Sequence, residues 1–148
     1  MQRRGRGAAD GKRKEMEIRE YREYNEREIL PLYAAAGWTA YTAHPETLRK
    51  AFESSAIILA AYEGDKLTGL LRAVGDGQTV MFIQDLLVDP EHRRKGVGIA
   101  LLKAIQERFR HVRQMHLVTD DTPETAAFYQ AAGFTELSEA GCLGFTRI

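Results

Sequence analysis

The chain has 148 residues, about one domain by length, and its 44% hydrophobic and 28% charged residues describe a packed core under a charged surface. That composition argues against a disordered, collagen-like or coiled-coil chain. Twenty-one Lys and Arg balance twenty-one Asp and Glu, and a net charge of zero weighs against a dedicated nucleic-acid binder. The single cysteine, Cys142, leaves no intramolecular disulfide and fits a reducing, cytoplasmic setting. No run reaches the roughly 18 apolar residues of a membrane span. The basic N-terminus lacks the apolar stretch of a secretory signal.

Charge is unevenly spread. Residues 1–15 hold Arg3, Arg4, Arg6, Lys12, Arg13 and Lys14 against Asp10 and Glu15, a net of +4, so residues 16–148 carry −4. With three glycines and almost nothing apolar, residues 1–15 are expected to form a flexible basic tail. Such a tail is either an arm for nucleic acid or another partner, or, on the preferred reading, a plain extension before a domain that begins near Met16.

Glu17 to Tyr21 alternates polar and apolar residues, which predicts a short strand. Glu26 to Ala36 reads as a helix with Ile29, Leu30, Leu32 and Tyr33 on one face, where Pro31 bends the helix or marks its first turn. Gly37 is a natural stop. Pro45 to Phe52 predicts a second, short helix. Ile57 to Tyr62, Leu67 to Val74 and Val80 to Val88 are strand-like, and Gly- and Asp-rich turns between them predict an antiparallel meander.

Gly98 to Phe109 reads as a helix with Leu101, Leu102, Ile105 and Phe109 on its apolar face, and Met115 to Thr119 as a strand. A strand, a helix and a strand in this order imply a crossover between parallel neighbours. Pro123 to Ala132 predicts a helix capped by Thr122 and stopped by Gly133. Phe134 to Leu137 and Cys142 to Ile148 are taken as closing strands. The expected fold is mixed α/β: one central sheet of six or seven strands with helices on both faces, without internal repeats or a second domain.

The chemistry concentrates in Val88-Asp89-Pro90-Glu91-His92-Arg93-Arg94-Lys95-Gly96-Val97-Gly98-Ile99. There a strand ends, a basic loop turns, two glycines follow and a helix begins. A helix N-terminus offers unpaired N–H groups and a positive dipole end. Glycines let an anion approach the backbone, and Arg93, Arg94 and Lys95 add positive charge. The combination suits a pyrophosphate. The Walker pattern is absent. The dinucleotide fingerprint fails because Leu101 stands where a small residue belongs. A plain strand-to-helix turn with solvated basic residues remains open for this segment taken alone.

Arg93-x-x-Gly96-x-Gly98 resembles the Gln/Arg-x-x-Gly-x-Gly/Ala signature of the GNAT superfamily of N-acetyltransferases. Asp85 to Pro90 resembles the strand and loop before that signature. Thr122 to Phe134, with Ala126, Phe128-Tyr129 and Gly133-Phe134, resembles the superfamily's last helix. The resemblance spans about 16–148 and implies a single N-acetyltransferase domain that uses acetyl-CoA. It implies that a splay between the two central parallel strands admits the pantetheine arm, paired with backbone groups of Leu86 and Val88. Backbone N–H groups of Arg94, Lys95, Gly96, Val97, Gly98 and Ile99 would hold the pyrophosphate, with Arg93 opening the loop and Thr122 near the coenzyme. Leu86 would polarise the carbonyl, and Tyr129 matches the phenol that protonates the leaving thiolate in many relatives.

The general base is harder to place. Polyamine acetyltransferases of the superfamily carry a Glu-Asp pair where this chain has Gln84-Asp85, and Gln84 cannot accept a proton. Asp85 is a base, an amine-binding anion or a structural acceptor, and its direction is not legible because adjacent strand residues face opposite sides. A water chain to bulk solvent is the alternative. Trp38 and Tyr41 either stack on a substrate or pack a small core. His44, His92, His111 and His116 show no metal-ligand spacing, so no metal is expected. His116 is read as a satisfied or edge histidine and Cys142 as a core residue.

The resulting expectation is acetyl transfer from acetyl-CoA to a primary amine of a small molecule, by direct attack in a ternary complex. The alternative is an acyl-CoA-binding or regulatory protein of the same fold without efficient catalysis. Neither a nucleic-acid nor a membrane partner is implied, and dimerisation of many relatives leaves a homodimer open.

Overall fold

The computed structural model describes residues 15–148, so the expectation of a flexible tail falls, apart from Glu15, outside the described residues. The described chain runs β1 (Met16–Glu20), α1 (Glu26–Ala35), α2 (Thr39–Thr42), α3 (Pro45–Glu53), β2 (Ile57–Glu63), β3 (Lys66–Gly75), β4 (Val80–Val88), a 3-10 turn (Pro90–His92), α4 (Val97–Arg108), β5 (Gln114–Leu117) and α5 (Pro123–Ala131). The five strands form one sheet in chain order. β1 to β4 pair antiparallel, and β5 joins β4 in parallel through the α4 crossover.

The sheet is covered on both faces, which is why β2 and most of β3 read as unbroken apolar runs. On one face α4 buries Leu101, Leu102 and Ile105 against Ile57, Leu59, Leu71, Ala73, Met81 and Ile83. On the other, Ile29, Leu32 and Tyr33 of α1 and Leu48 and Phe52 of α3 pack on Ile58, Ala60, Leu70 and Leu87. Gly69 lies under α4, where a Cβ would come within 2.6 Å of Val97 Cγ1.

Local chemistry sets the helix boundaries. Asn25 caps α1, its side chain accepting from the Arg27 N–H. Pro31 lies inside α1 rather than in its first turn, on the exposed side. Pro45 opens α3 and Pro123 opens α5, positions where a missing N–H costs nothing.

Among the described residues the sheet has five strands, not six or seven. Phe134–Leu137 and Cys142–Ile148 form no strand: Ser138–Gly141 turns back on itself and the last residues run exposed. Leu143, Phe145 and Ile148 stay largely in solvent, so these short apolar runs lack the burial that would make them strands. Cys142 is exposed rather than in the core. β5 is the last strand of the sheet, so His116 lies on an edge strand.

Candidate active site

The site begins with one extra residue in β4. Arg72 pairs with Asp85 and Ala73 with Ile83, so Gln84 has no opposite number in β3 and forms a β-bulge. Met81 and Ile83 face α4, whereas Leu87 packs under α1 and α3. The bulge exchanges the two faces midway along the strand. It turns Asp85 toward the α1–α3 side and leaves Gln84 exposed.

β5 leaves β4 at the same level. Their last paired residues are Ile83 and Leu117, while β4 continues for five residues to Val88. The Asp89 N–H donates to the Thr68 carbonyl at 2.8 Å. By the alternation of an antiparallel ladder, Asp85 and Leu87 then direct their backbone groups at β3. Leu86 and Val88 direct theirs to the other side, where β5 has ended.

A cleft of about 970 Å³ opens there. Leu86, Val88 and Leu117 form its strand walls, with Thr119 just beyond β5, and Phe128 and Tyr129 of α5 its flank. Arg93, Arg94 and the start of α4 form one end, and Ala36, Trp38 and Gln84 also reach it.

The β4–α4 loop is held from both sides. The Asp89 side chain accepts from the Glu91 N–H and pairs with Lys66 at 3.1 Å. His92 places Nε2 3.0 Å from Glu63 and Nδ1 3.2 Å from Asp89. Arg94 (φ 64°) and Gly96 (φ 81°) both take the left-handed conformation, which gathers successive N–H groups into a concave nest. Gly96 is the N-cap of α4, and no side chain caps that end. The first N–H groups of α4 are therefore left for a ligand. At Gly98 a Cβ would stand 2.9 Å from Phe128 Cζ, so glycine sets the approach of α5 to α4.

Asp85 is 1% exposed. Its Oδ2 accepts from Arg72 Nε and from the Tyr33 hydroxyl, each at 2.7 Å, and its Oδ1 accepts from the Tyr41 hydroxyl at 3.2 Å. Arg72 also donates to Ser55 Oγ at 3.3 Å. Burial, reinforced by the adjacent Asp85 charge, pushes the Tyr33 phenol far above its ordinary value. Of the three roles open to Asp85, this geometry is that of a structural acceptor.

Tyr41 is half-buried, stacked on Trp38 at 5.8 Å between ring centroids, and receives a hydrogen bond from Gln84 Nε2 at 3.4 Å. Tyr129 packs edge-on against Phe128 and Phe134. Burial raises its phenol above the ordinary value, while the Thr119 side chain opposes the shift.

The cleft thus brings together ten of the sequence-predicted residues: Leu86, Val88, Arg93, Arg94, Gly96, Val97, Gly98, Ile99, Tyr129 and Trp38. Four stand apart from its walls. Asp85 and Tyr41 lie behind Gln84. Lys95 lines an adjoining cavity with Glu63 and Thr68. The Thr122 hydroxyl caps α5 by accepting from the Thr125 N–H, and the residue lines a neighbouring cavity. Sequence reasoning missed Arg72 and Tyr33. The signal for Arg72 was an arginine inside the apolar run Leu67–Val74, while Tyr33 carried no signal beyond its apolar neighbours. Among the described residues, no group of three or more His, Cys, Asp or Glu side chains is placed to hold a metal ion. No helix among them is long and apolar enough to cross a membrane.

Comparison with known proteins points the same way. A profile of the acetyltransferase (GNAT) domain matches residues 20–143. A mycothiol acetyltransferase from Kineococcus radiotolerans is 36% identical in an alignment 118 residues long that covers 75% of this chain but 39% of that protein. The chain therefore spans about two fifths of the length of this curated relative. The structure of a GNAT family acetyltransferase from Streptococcus pneumoniae TIGR4 is 36% identical, with a TM-score of 0.82, over 90% of this chain and 98% of that one. AAC(6')-Iy, in complex with the bisubstrate analogue CoA-S-monomethyl-acetylneamine, shares the fold at 20% identity and a TM-score of 0.69, over 90% and 98% of the two chains. The matched profile covers β2 to β5, the divided strands and the glycine loop alike, and the chain belongs to the GNAT acetyltransferase family.

Proposed function

We propose that the protein is an acetyl-CoA-dependent N-acetyltransferase that acetylates a primary amine of a small molecule by direct attack in a ternary complex. The observation that carries this reading is the parting of β4 from β5 beyond Ile83 and Leu117, beside the uncapped start of α4. The residues present fit the coenzyme: strand N–H and C=O groups suit the amides of a pantetheine arm, and a helix N-terminus with arginines suits its phosphates. Two related proteins support a small-molecule acceptor, one named a mycothiol acetyltransferase, the other bound to a CoA-linked neamine analogue.

Bound acetyl-CoA supplies the thioester, whose carbon–sulfur bond breaks as the amine nitrogen forms its bond to the acetyl carbon. The Leu86 N–H, directed into the cleft, donates to the acyl oxygen as charge builds on it. Backbone N–H groups from Arg94 to Ile99 hold the pyrophosphate, and the Arg93 and Arg94 side chains add charge. Tyr129 holds its proton because its phenol is buried. It gives that proton to the departing thiolate, the proton lost by the amine passes to water, and water returns a proton to the phenolate to close the cycle. Asp85 is committed to Arg72 and Tyr33 and serves as a scaffold rather than as the base.

A second reading, coenzyme binding without efficient turnover, is favoured by one observation: the Asp85 carboxylate, beside the point where the strands part, is spent in a buried ion pair. One experiment separates the two. Acetyl-CoA should raise the melting temperature, and an amine from a panel of polyamines, amino sugars, arylalkylamines, amino acids and peptide N-termini should release free thiol above background. Stabilisation with no turnover selects the second reading, and no stabilisation rejects both.

A further inference from the structure

Gln84 stands where a carboxylate would make an obvious base, and its surroundings give it a different task. The Tyr41 hydroxyl has one proton, which it donates to Asp85 Oδ1. Asp85, ion-paired with Arg72, offers acceptors only. The Tyr41 oxygen therefore receives a hydrogen bond, and Gln84 Nε2 is the donor. That chain fixes which end of the Gln84 amide faces Tyr41. The nitrogen is turned toward Tyr41, and the side-chain carbonyl is left to the cleft that Gln84 lines.

Three further features hold the arrangement. The bulge at Gln84 lifts this one residue out of the β3 ladder and exposes it. Trp38 stacks on Tyr41 and lines the cleft as well. Tyr33, Tyr41 and Arg72 together satisfy Asp85, so the anchor has no reason to turn. The result is a neutral hydrogen-bond acceptor at the level where the two strands part, next in the chain to a carboxylate already paired with a guanidinium.

We propose that Gln84 orients the acceptor amine, its side-chain carbonyl receiving one N–H of the neutral amine, and that Tyr41, tied to Asp85, is the positioning residue that aims it. This rests on the N-acetyltransferase reading and adds the residue that receives the nucleophile. A carbonyl takes an N–H without taking the proton, so the amine nitrogen keeps its lone pair for the acetyl carbon. Unlike a carboxylate, the carbonyl adds no negative charge that would favour the ammonium form over the neutral amine.

The test uses the full chain and an amine from the panel above. Gln84→Met should raise the amine KM about fivefold, the net worth of one hydrogen bond, with the acetyl-CoA dissociation constant within about twofold of wild type. Tyr41→Phe should raise the same KM in the same direction, by less, and again leave coenzyme affinity alone. An unchanged amine KM in Gln84→Met, or an equal loss of coenzyme affinity, overturns the proposal while leaving the enzyme reading intact. Wild-type protein that neither binds acetyl-CoA nor releases thiol overturns both.

Discussion

Arg72 and Asp85 face each other on neighbouring strands, with Nε and Oδ2 2.7 Å apart and both side chains almost fully withdrawn from solvent. Removing one partner strands the other charge in a low-dielectric space. Arg72→Met should therefore cost about 3 kcal/mol of folding stability. Urea unfolding would show it as a lower midpoint at unchanged slope. Asp85→Asn should cost less, because the amide oxygen still accepts from Tyr33. A midpoint within error of wild type for Arg72→Met would mean that the pair is not closed in solution.

Tyr129 differs from that pair in reaching the cleft. Tyr129→Phe keeps the ring packing on Phe128 and Phe134 and removes only the proton. Turnover should fall about a hundredfold, the low end for loss of a general acid, with acetyl-CoA affinity nearly unchanged. Isothermal titration beside steady-state kinetics separates the two effects. Full turnover in this variant would remove Tyr129 from the chemistry.

The raised phenols of Tyr33 and Tyr129, with those of Tyr21, Tyr24 and Tyr62, shape the alkaline behaviour. A tyrosine ordinarily titrates near pH 10, so above that pH the unfolded chain loses protons that the folded chain keeps. The native state is then the more protonated one, and stability falls as pH rises. Below about pH 10 these groups contribute no slope. Tyr129 also keeps its working proton there, so kcat should rise with the neutral fraction of the amine and show no descending limb before pH 10. A descending limb near pH 8 would contradict this.

Two glycines of the loop should fail differently. At Gly96 a Cβ meets nothing within 4 Å, so Gly96→Ala suffers only from its left-handed φ of 81°, about 1 kcal/mol. At Gly98 the new Cβ would strike Phe128, the cleft's own wall. Overpacking of that kind costs about 1–3 kcal/mol. Thermal unfolding should rank Gly98→Ala as the less stable protein, and coenzyme titration should rank it as the weaker binder. Equal effects would show that α5 yields to the intrusion.

Apart from the one-turn α2, the pattern of strands and helices from Met16 to Ala131 was legible because hydrophobic period and turn residues agree along it. The glycine loop was legible because two glycines and a basic run mark a strand-to-helix turn. Asp85 was not, since its direction depends on a bulge, and one inserted residue leaves no trace in apolar alternation when both faces are buried. Arg72 and Tyr33 were hidden inside apolar runs whose polar atoms meet only in three dimensions. The two closing strands were misread because short apolar stretches need a neighbour to pair with, and the last residues of this chain extend into solvent instead.

The order of strands in the sheet has a consequence for how the molecule comes apart. β2 to β4 form a meander of adjacent hairpins, whereas β5 is joined by four residue pairs to β4 alone. Low sequence separation makes the meander the natural early and most cooperative unit, and β5 with α5 a later addition that opens on its own. The cleft lies on the seam between the two. A coenzyme seated there acts as a rivet: it protects amide protons of residues 114–131 from exchange by shutting down the partial opening that spares the meander.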